Sequence, residues 1–123
     1  MRKIILITGG QRSGKSQQAE RLALSLSPNP IYLATAHIWD EEFRQRVTIH
    51  QQRRGPQWTN IEEEKLLSRH DVSGRVVVID CITLWCTNFF FSRFFVYWEQ
   101  PSVDDALECL KKEFDKFTAQ DAT

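Results

Sequence analysis

Apolar and polar positions fall along this chain in short blocks whose period changes from one block to the next. Ile4 to Thr8 is a β-branched apolar run ending in Gly9-Gly10, the pattern of a buried parallel strand entering a loop. From Gly14 to Leu26, Ala19, Leu22, Ala23 and Leu26 recur at helical spacing, and Pro28 and Pro30 stop the helix. Ile31 to Thr35 reads as a second short strand. Asp40 fits the N-cap of a polar helix reaching about Arg54, where Gly55-Pro56 breaks it. Trp58-Thr59 is read as a short third strand, Glu62 to His70 as helical, and Gly74 as a turn. Val76-Val77-Val78-Ile79, closed by Asp80, carries the strongest strand signal in the chain. A helix over Thr83 to about Tyr97 follows. After Pro101 an amphipathic helix places Val103, Leu107, Leu110 and Phe114 on one face. Strands separated by helices predict a parallel α/β sheet.

Composition narrows this picture. At 123 residues and 41% hydrophobic content, residues 1–123 supply one core and one domain. Sixteen Lys plus Arg balance sixteen Asp plus Glu, so no basic field exists to hold a nucleic-acid backbone. Cys81, Cys86 and Cys109 have neither CxxC nor Cys/His spacing. They are expected to be reduced thiols, two of them buried, rather than a disulfide framework or a zinc site. The apolar run Ile4 to Ile7 is too short for a signal-peptide core, which makes the cytoplasm the expected compartment. The longest apolar stretch, Val76 to Trp98, is interrupted by Asp80, Asn88 and Arg93, so no membrane span is expected.

Candidate chemistry concentrates at three places. Gly9-Gly10-Gln11-Arg12-Ser13-Gly14-Lys15-Ser16 fits G-x-x-x-x-G-K-[ST] at every fixed position, between a predicted strand and a predicted helix. Glycines let the backbone N–H groups converge on phosphate oxygens, and the helix adds its positive N-terminus. Lys15 supplies a point charge, and the Ser16 hydroxyl is left for Mg²⁺. Asp80, at the C-terminal end of its strand, is placed either as a second Mg²⁺ ligand or as a cap for the helix that follows. His50 shares a helical stripe with Phe43 and Val47 and has Arg46, Arg53 and Arg54 around it. It is either a satisfied core histidine or, beside phosphates paired with those arginines, a nucleophile. His37 and His70 lack such company and read as surface or capping residues.

Five segments in this order also resemble a known family. ILITGGQRSGKSQQAE, YLATA, DEEFRQRVTIHQQRR, W-T-x-x-E at Trp58 to Glu62, and VVVIDCITLWCTN are similar to the bifunctional adenosylcobinamide kinase / adenosylcobinamide-phosphate guanylyltransferase of cobalamin biosynthesis. The resemblance runs from Ile4 to about Asn88. It implies a P-loop NTPase of RecA-like type, an α/β fold with a three-layer parallel sheet. The activity implied is phosphorylation of adenosylcobinamide with ATP or GTP, then transfer of GMP from GTP to adenosylcobinamide phosphate through a guanylylated histidine. By position that histidine is His50, with Lys15 beside it in catalysis. Nucleotide contacts are implied at Gly9, Gly10, Gln11, Arg12, Ser13, Gly14, Lys15 and Ser16, and at Ala34, Thr35 and Ala36. Further contacts are implied at Gln51, Gln52, Arg53, Arg54, Glu62 and Asp80, with Mg²⁺ on Ser16 and Asp80. A homo-oligomer, trimeric in the family, is implied as well.

The family's V-T-N-E-V-G-like segment and its C-terminal N-x-x-x-A-x-x-A-D-x-V-x-L-like strand do not occur here. The chain is therefore expected to be an N-terminal portion of the family's domain. Its sheet would lack the last strands, with an uncovered edge or apolar face. Phe89 to Trp98 holds half of the chain's aromatic residues, and core packing, a subunit interface and a surface for the corrin ring are the three readings of it. Two alternatives to the bifunctional enzyme stand. One is a fragment that binds nucleotide without completing either reaction, and the other is an unrelated P-loop small-molecule kinase with no use for His50.

Overall fold

In the computed structural model, residues 2–9, 14–38, 40–94 and 103–123 are described, with side chains omitted at 90–94 and 103–106. Helix α1, Lys15–Leu26, starts directly after Gly14. Gly14 has φ 81°, a left-handed conformation that suits a residue without Cβ. Strand β1, Ile31–Ala34, follows Pro30. Helix α2, Glu41–Arg54, begins as its cap predicts, because Asp40 Oδ1 accepts from the Phe43 N–H (2.8 Å). Glu41 and Glu42 lie in its first turn and Arg53 and Arg54 in its last, each sign matched to the helix dipole. Strand β2 is Thr59–Glu62, β3 is Val77–Asp80, and helices α3 and α4 are Ile82–Phe94 and Val103–Thr118.

All three strands are parallel, in the order β2-β1-β3. Register aligns Ala34 with Glu62 on one side and with Asp80 on the other. The C-terminal strand ends thus bring together the loops on which the candidate chemistry sits. Successive side chains of the central strand leave on opposite faces and both are buried. Ile31 and Leu33 join Leu67, Val72, Trp85, Phe89 and Phe117 against α3 and α4. Tyr32 joins Ala23 of α1 and Trp58 on the other face. The result is a sheet with helices on both faces, as the P-loop resemblance implies.

Four expectations need correction. Ile4 to Thr8 is not a strand of the sheet, and Ile4 and Leu6 are 57% and 79% exposed. The start of the β3 edge is instead occupied by Thr123, which donates to the Arg75 carbonyl and accepts from the Val77 N–H (3.1 and 2.7 Å). The Lys3 N–H is drawn to the Ala122 carbonyl (3.0 Å). Glu62 to His70 is not a helix: β2 runs to Glu62 and only Leu67–Arg69 forms a 3₁₀ turn. The cause is Glu63, whose carboxylate accepts the N–H groups of Lys65 and Leu66 and so turns the chain. Helix α4 buries Phe117 and the charged Glu113, while Leu107 of the predicted stripe is exposed. All three cysteines are half-buried and none fully so. Of the aromatic stretch, Phe89 is core, and Phe95, Tyr97 and Trp98 lie outside the described residues. Among the described residues no helix is long and apolar enough to cross a membrane.

Glu63 also makes a testable statement about pH. Burial pushes its carboxyl upward, but hydrogen bonds from Lys65, His70 and Leu66, with the Arg69 charge, outweigh this and hold it below its ordinary value of 4.5. A carboxyl depressed by folding stabilises above its unfolded value, and that gain is lost as pH falls through the folded value. Glu63→Gln is therefore expected to lower Tm by about 2–5 °C at pH 7. The gap should close below pH 4.5, and an equal gap in acid and at neutrality, read by circular dichroism, would contradict this account.

Candidate functional site

A cavity of about 490 Å³ opens along the side of β3 away from β1. Thr8, Gly9, Lys15, Ser16, Asp80 and Thr83 supply part of its polar lining, with Arg2, Lys3, Thr118, Gln120 and Thr123 toward the chain termini, whereas Ile5, Leu22, Leu26, Val77 and Ile79 supply part of its apolar lining. The loop glycine, the lysine and the serine, joined in the sequence by motif spacing, and the acid, placed there by its position at a strand end, therefore line one space. Lys15 Nζ donates to the Gly9 carbonyl (3.1 Å), folding the ammonium back over its own loop. Gly10, Gln11, Arg12 and Ser13 lie outside the described residues.

Ser16 and Asp80 offer a hydroxyl and a carboxylate to this shared cavity. Hard oxygen donors of this kind suit Mg²⁺ that keeps several waters and shares phosphate oxygens. Among the described residues no group of three or more His, Cys, Asp or Glu could hold a metal.

Asp80 has a partner that sequence reading missed. Tyr32 points to the α1 face of the sheet and donates its hydroxyl to Asp80 Oδ2. Burial, then this hydrogen bond and the Asp80 charge, push the Tyr32 hydroxyl far above the ordinary phenol range, so it remains a donor. Over the Tyr32 ring sits Arg54, its guanidinium carbon 3.6 Å from the centroid. Arg54 Nη2 donates to Asn60 Oδ1 (2.8 Å), and its Nε is buried with no hydrogen-bond partner among the described residues. Glu20 of α1 lies within electrostatic reach of Arg54, Asp80 and His50. Burial raises its carboxyl, Arg54 and His50 oppose that rise, and Asp80 adds to it. The signal available in the sequence was a tyrosine inside an otherwise apolar central strand, whose polar tip requires a partner when buried.

The other candidates fall into two groups. Glu62 accepts from Arg44 Nη1 (2.6 Å) and Gln51 Nε2 (3.5 Å), tying α2 to the end of β2. Thr35 is fully buried and its hydroxyl is committed to Cys81, donating to the carbonyl (2.8 Å) and accepting from the N–H (2.9 Å). Asn88 Nδ2 donates to the carbonyls of Thr35 (2.6 Å) and Glu64 (3.3 Å), clasping the loops after β1 and β2. Ala34 and Ala36 are half-buried, and Gln52 and Arg53 are exposed. His50 is exposed too, on a helix with no buried residue, and does not line the cavity. The core reading of that histidine is thereby excluded. His37 contacts Glu64 at the surface, and His70 Nε2 lies 3.0 Å from Glu63 Oε1.

A family model described as cobinamide kinase / cobinamide phosphate guanyltransferase matches residues 5–120. The chain belongs to this family. The match to the cobinamide kinase / guanyltransferase family extends past Asn88, where the recognisable motifs end, through α4. Among curated relatives, the bifunctional adenosylcobalamin biosynthesis protein CobP of Pseudomonas aeruginosa is 44% identical over 87 residues, covering 68% of this chain and 50% of the relative. The bifunctional adenosylcobalamin biosynthesis protein CobU of Escherichia coli is 37% identical over 92 residues, covering 72% and 50%. Its namesake in Salmonella typhimurium is 34% identical over 93 residues, covering 72% and 51%. The chain spans about half the length of the curated relatives it matches.

Proposed function

We propose that this chain is the nucleotide-handling portion of an adenosylcobinamide kinase / adenosylcobinamide-phosphate guanylyltransferase. The observation that carries the reading is the family match over residues 5–120, which takes in both the phosphate loop and the His50 helix. The convergence of Lys15, Ser16 and Asp80 on one cavity supports it. Gly9 through Ser16 would wrap the phosphates of GTP or ATP, with Lys15 turning from the Gly9 carbonyl to a phosphate oxygen. Ser16 and Asp80 would hold Mg²⁺, which supplies neutralising charge to the departing phosphates when bound.

In the kinase step, the aminopropanol hydroxyl oxygen of adenosylcobinamide bonds to the γ-phosphorus, the bond from that phosphorus to the bridging oxygen breaks, a nucleoside diphosphate leaves, and the hydroxyl proton passes to solvent. In the guanylyl step, a ring nitrogen of His50 attacks the α-phosphorus of GTP. The bond from that phosphorus to the bridging oxygen breaks, and pyrophosphate leaves. An oxygen of adenosylcobinamide phosphate then displaces the imidazole. Arg53 and Arg54, one turn from His50, would pair with phosphate in this reading. Cytoplasmic location and a homo-oligomer, trimeric as the resemblance implies, belong to the same reading.

Incubation with α-labelled GTP and Mg²⁺, without corrinoid, is expected to leave an acid-labile label on the protein. Absence of label would sink the guanylyl-transfer reading. A second reading, in which the chain binds nucleotide without completing either reaction, is compatible with a span of about half the relatives' length. Binding of GTP with no label is its signature.

A further inference from the structure

Two features bracket Tyr32. Its hydroxyl holds one oxygen of Asp80, the acid at the end of β3. Its ring carries the guanidinium of Arg54, the last residue of the helix that bears His50. Tyr32 itself is only 6% exposed, and its ring is set edge-on against Trp58 (centroids 5.8 Å apart, planes at 78°). Arg54 is also held by Asn60 in β2. Helix α2 has no buried residue of its own, so the Arg54–Tyr32 stack is a principal attachment of its C-terminal end to the sheet.

We propose that Tyr32 is a positioning residue that links the cation-side acid to the histidine helix: its hydroxyl orients Asp80, and its ring fixes Arg54 at the helix end. The inference rests on the reading that Asp80 and Arg54 both serve one bound nucleotide. A hydroxyl on Oδ2 leaves Oδ1 as the oxygen presented to a cation or its water. A guanidinium whose carbon sits 3.6 Å above the ring centroid is held at the helix end, where it can meet a phosphate. The two contacts are separable, because phenylalanine keeps the platform and loses the hydroxyl, whereas leucine loses both.

The test uses the full chain, Tyr32→Phe and Tyr32→Leu. Without nucleotide, amide hydrogen exchange over residues 51–54 is expected to rise about tenfold in Tyr32→Leu and to stay within about twofold in Tyr32→Phe, with α4 unchanged in both. A rise spread evenly over α2 and α4 would mark a core role alone and overturn the proposal, as would no rise at all. With a fluorescent GTP analogue, Tyr32→Phe is expected to weaken Mg²⁺-dependent binding about 3- to 10-fold and leave binding in EDTA unchanged. Equal binding by Tyr32→Phe and the unaltered chain in both conditions would overturn the Asp80 half. A chain that binds no nucleotide in any form would overturn the functional reading, while the exchange measurement still decides whether Tyr32 holds the helix end.

Discussion

Replacing His50 with alanine is expected to lower covalent labelling by α-labelled GTP at least about 100-fold, while GTP affinity stays within about threefold. The two halves of this expectation come from different observations. His50 is exposed on a helix with no buried residue, so removing its ring costs less than about 0.5 kcal/mol of stability. It does not line the cavity shared by Gly9, Lys15, Ser16 and Asp80, so the contacts that would grip the triphosphate survive. What is lost is the nucleophile. Lys15→Ala is the complementary control, expected to weaken GTP binding about 10- to 100-fold and to reduce label with it. Label that persists in His50→Ala would move the covalent site to another residue and remove the reason for assigning His50 a role. Equal loss of binding in both variants would mean that His50 grips nucleotide rather than attacking it.

Some of this site was legible in the sequence and some was not, for identifiable physical reasons. Short-range signals carried well. Asp40 caps α2, Gly14 takes the left-handed turn into α1, and Asp80 closes β3, because each depends on its immediate neighbours. Long-range partners were out of reach. Nothing within a few residues of Tyr32 announces that its hydroxyl will meet an acid 48 positions later. The same holds for Glu113, buried on α4 because the Ser68 N–H in the 3₁₀ turn needs its carboxylate (2.7 Å). A periodicity argument assigns a glutamate to the solvent face, and only a partner brought by the fold can reverse that. Ile4 to Thr8 failed differently. Its pattern is that of a buried strand, but a strand needs a ladder, and Thr123 occupies the start of the β3 edge. Two residues of the VVVIDCITLWCTN segment after Asp80 have their explanation in packing. Trp85 and Asn88, one turn apart, hold the loop after β2 through the carbonyls of Lys65 and Glu64.

That clasp supplies the largest expected stability effect. Trp85 is 1% exposed, lies with Phe89 and Phe114 at ring separations of 5.8 and 5.9 Å, and donates its Nε1–H to the Lys65 carbonyl (2.7 Å). Truncation to alanine removes the largest side chain among the fully buried described residues, opens a cavity between α3, α4 and the sheet, and leaves a carbonyl without its donor. Substitutions of this kind cost about 3–5 kcal/mol, a large share of the 5–15 kcal/mol that typically holds a domain folded. Trp85→Phe separates the two contributions: it keeps most of the ring volume and loses the N–H, and is expected to cost about 1–2 kcal/mol. Urea melts followed by circular dichroism should therefore rank the unaltered chain above Trp85→Phe and that above Trp85→Ala. Because Lys65 and Glu64 sit on the loop that Asn88 ties to Thr35, the weaker variant should also expose this loop to protease before the rest of the sheet. Trp85→Ala with a midpoint equal to that of Trp85→Phe would mean that the indole N–H, not its volume, holds this part of the core together.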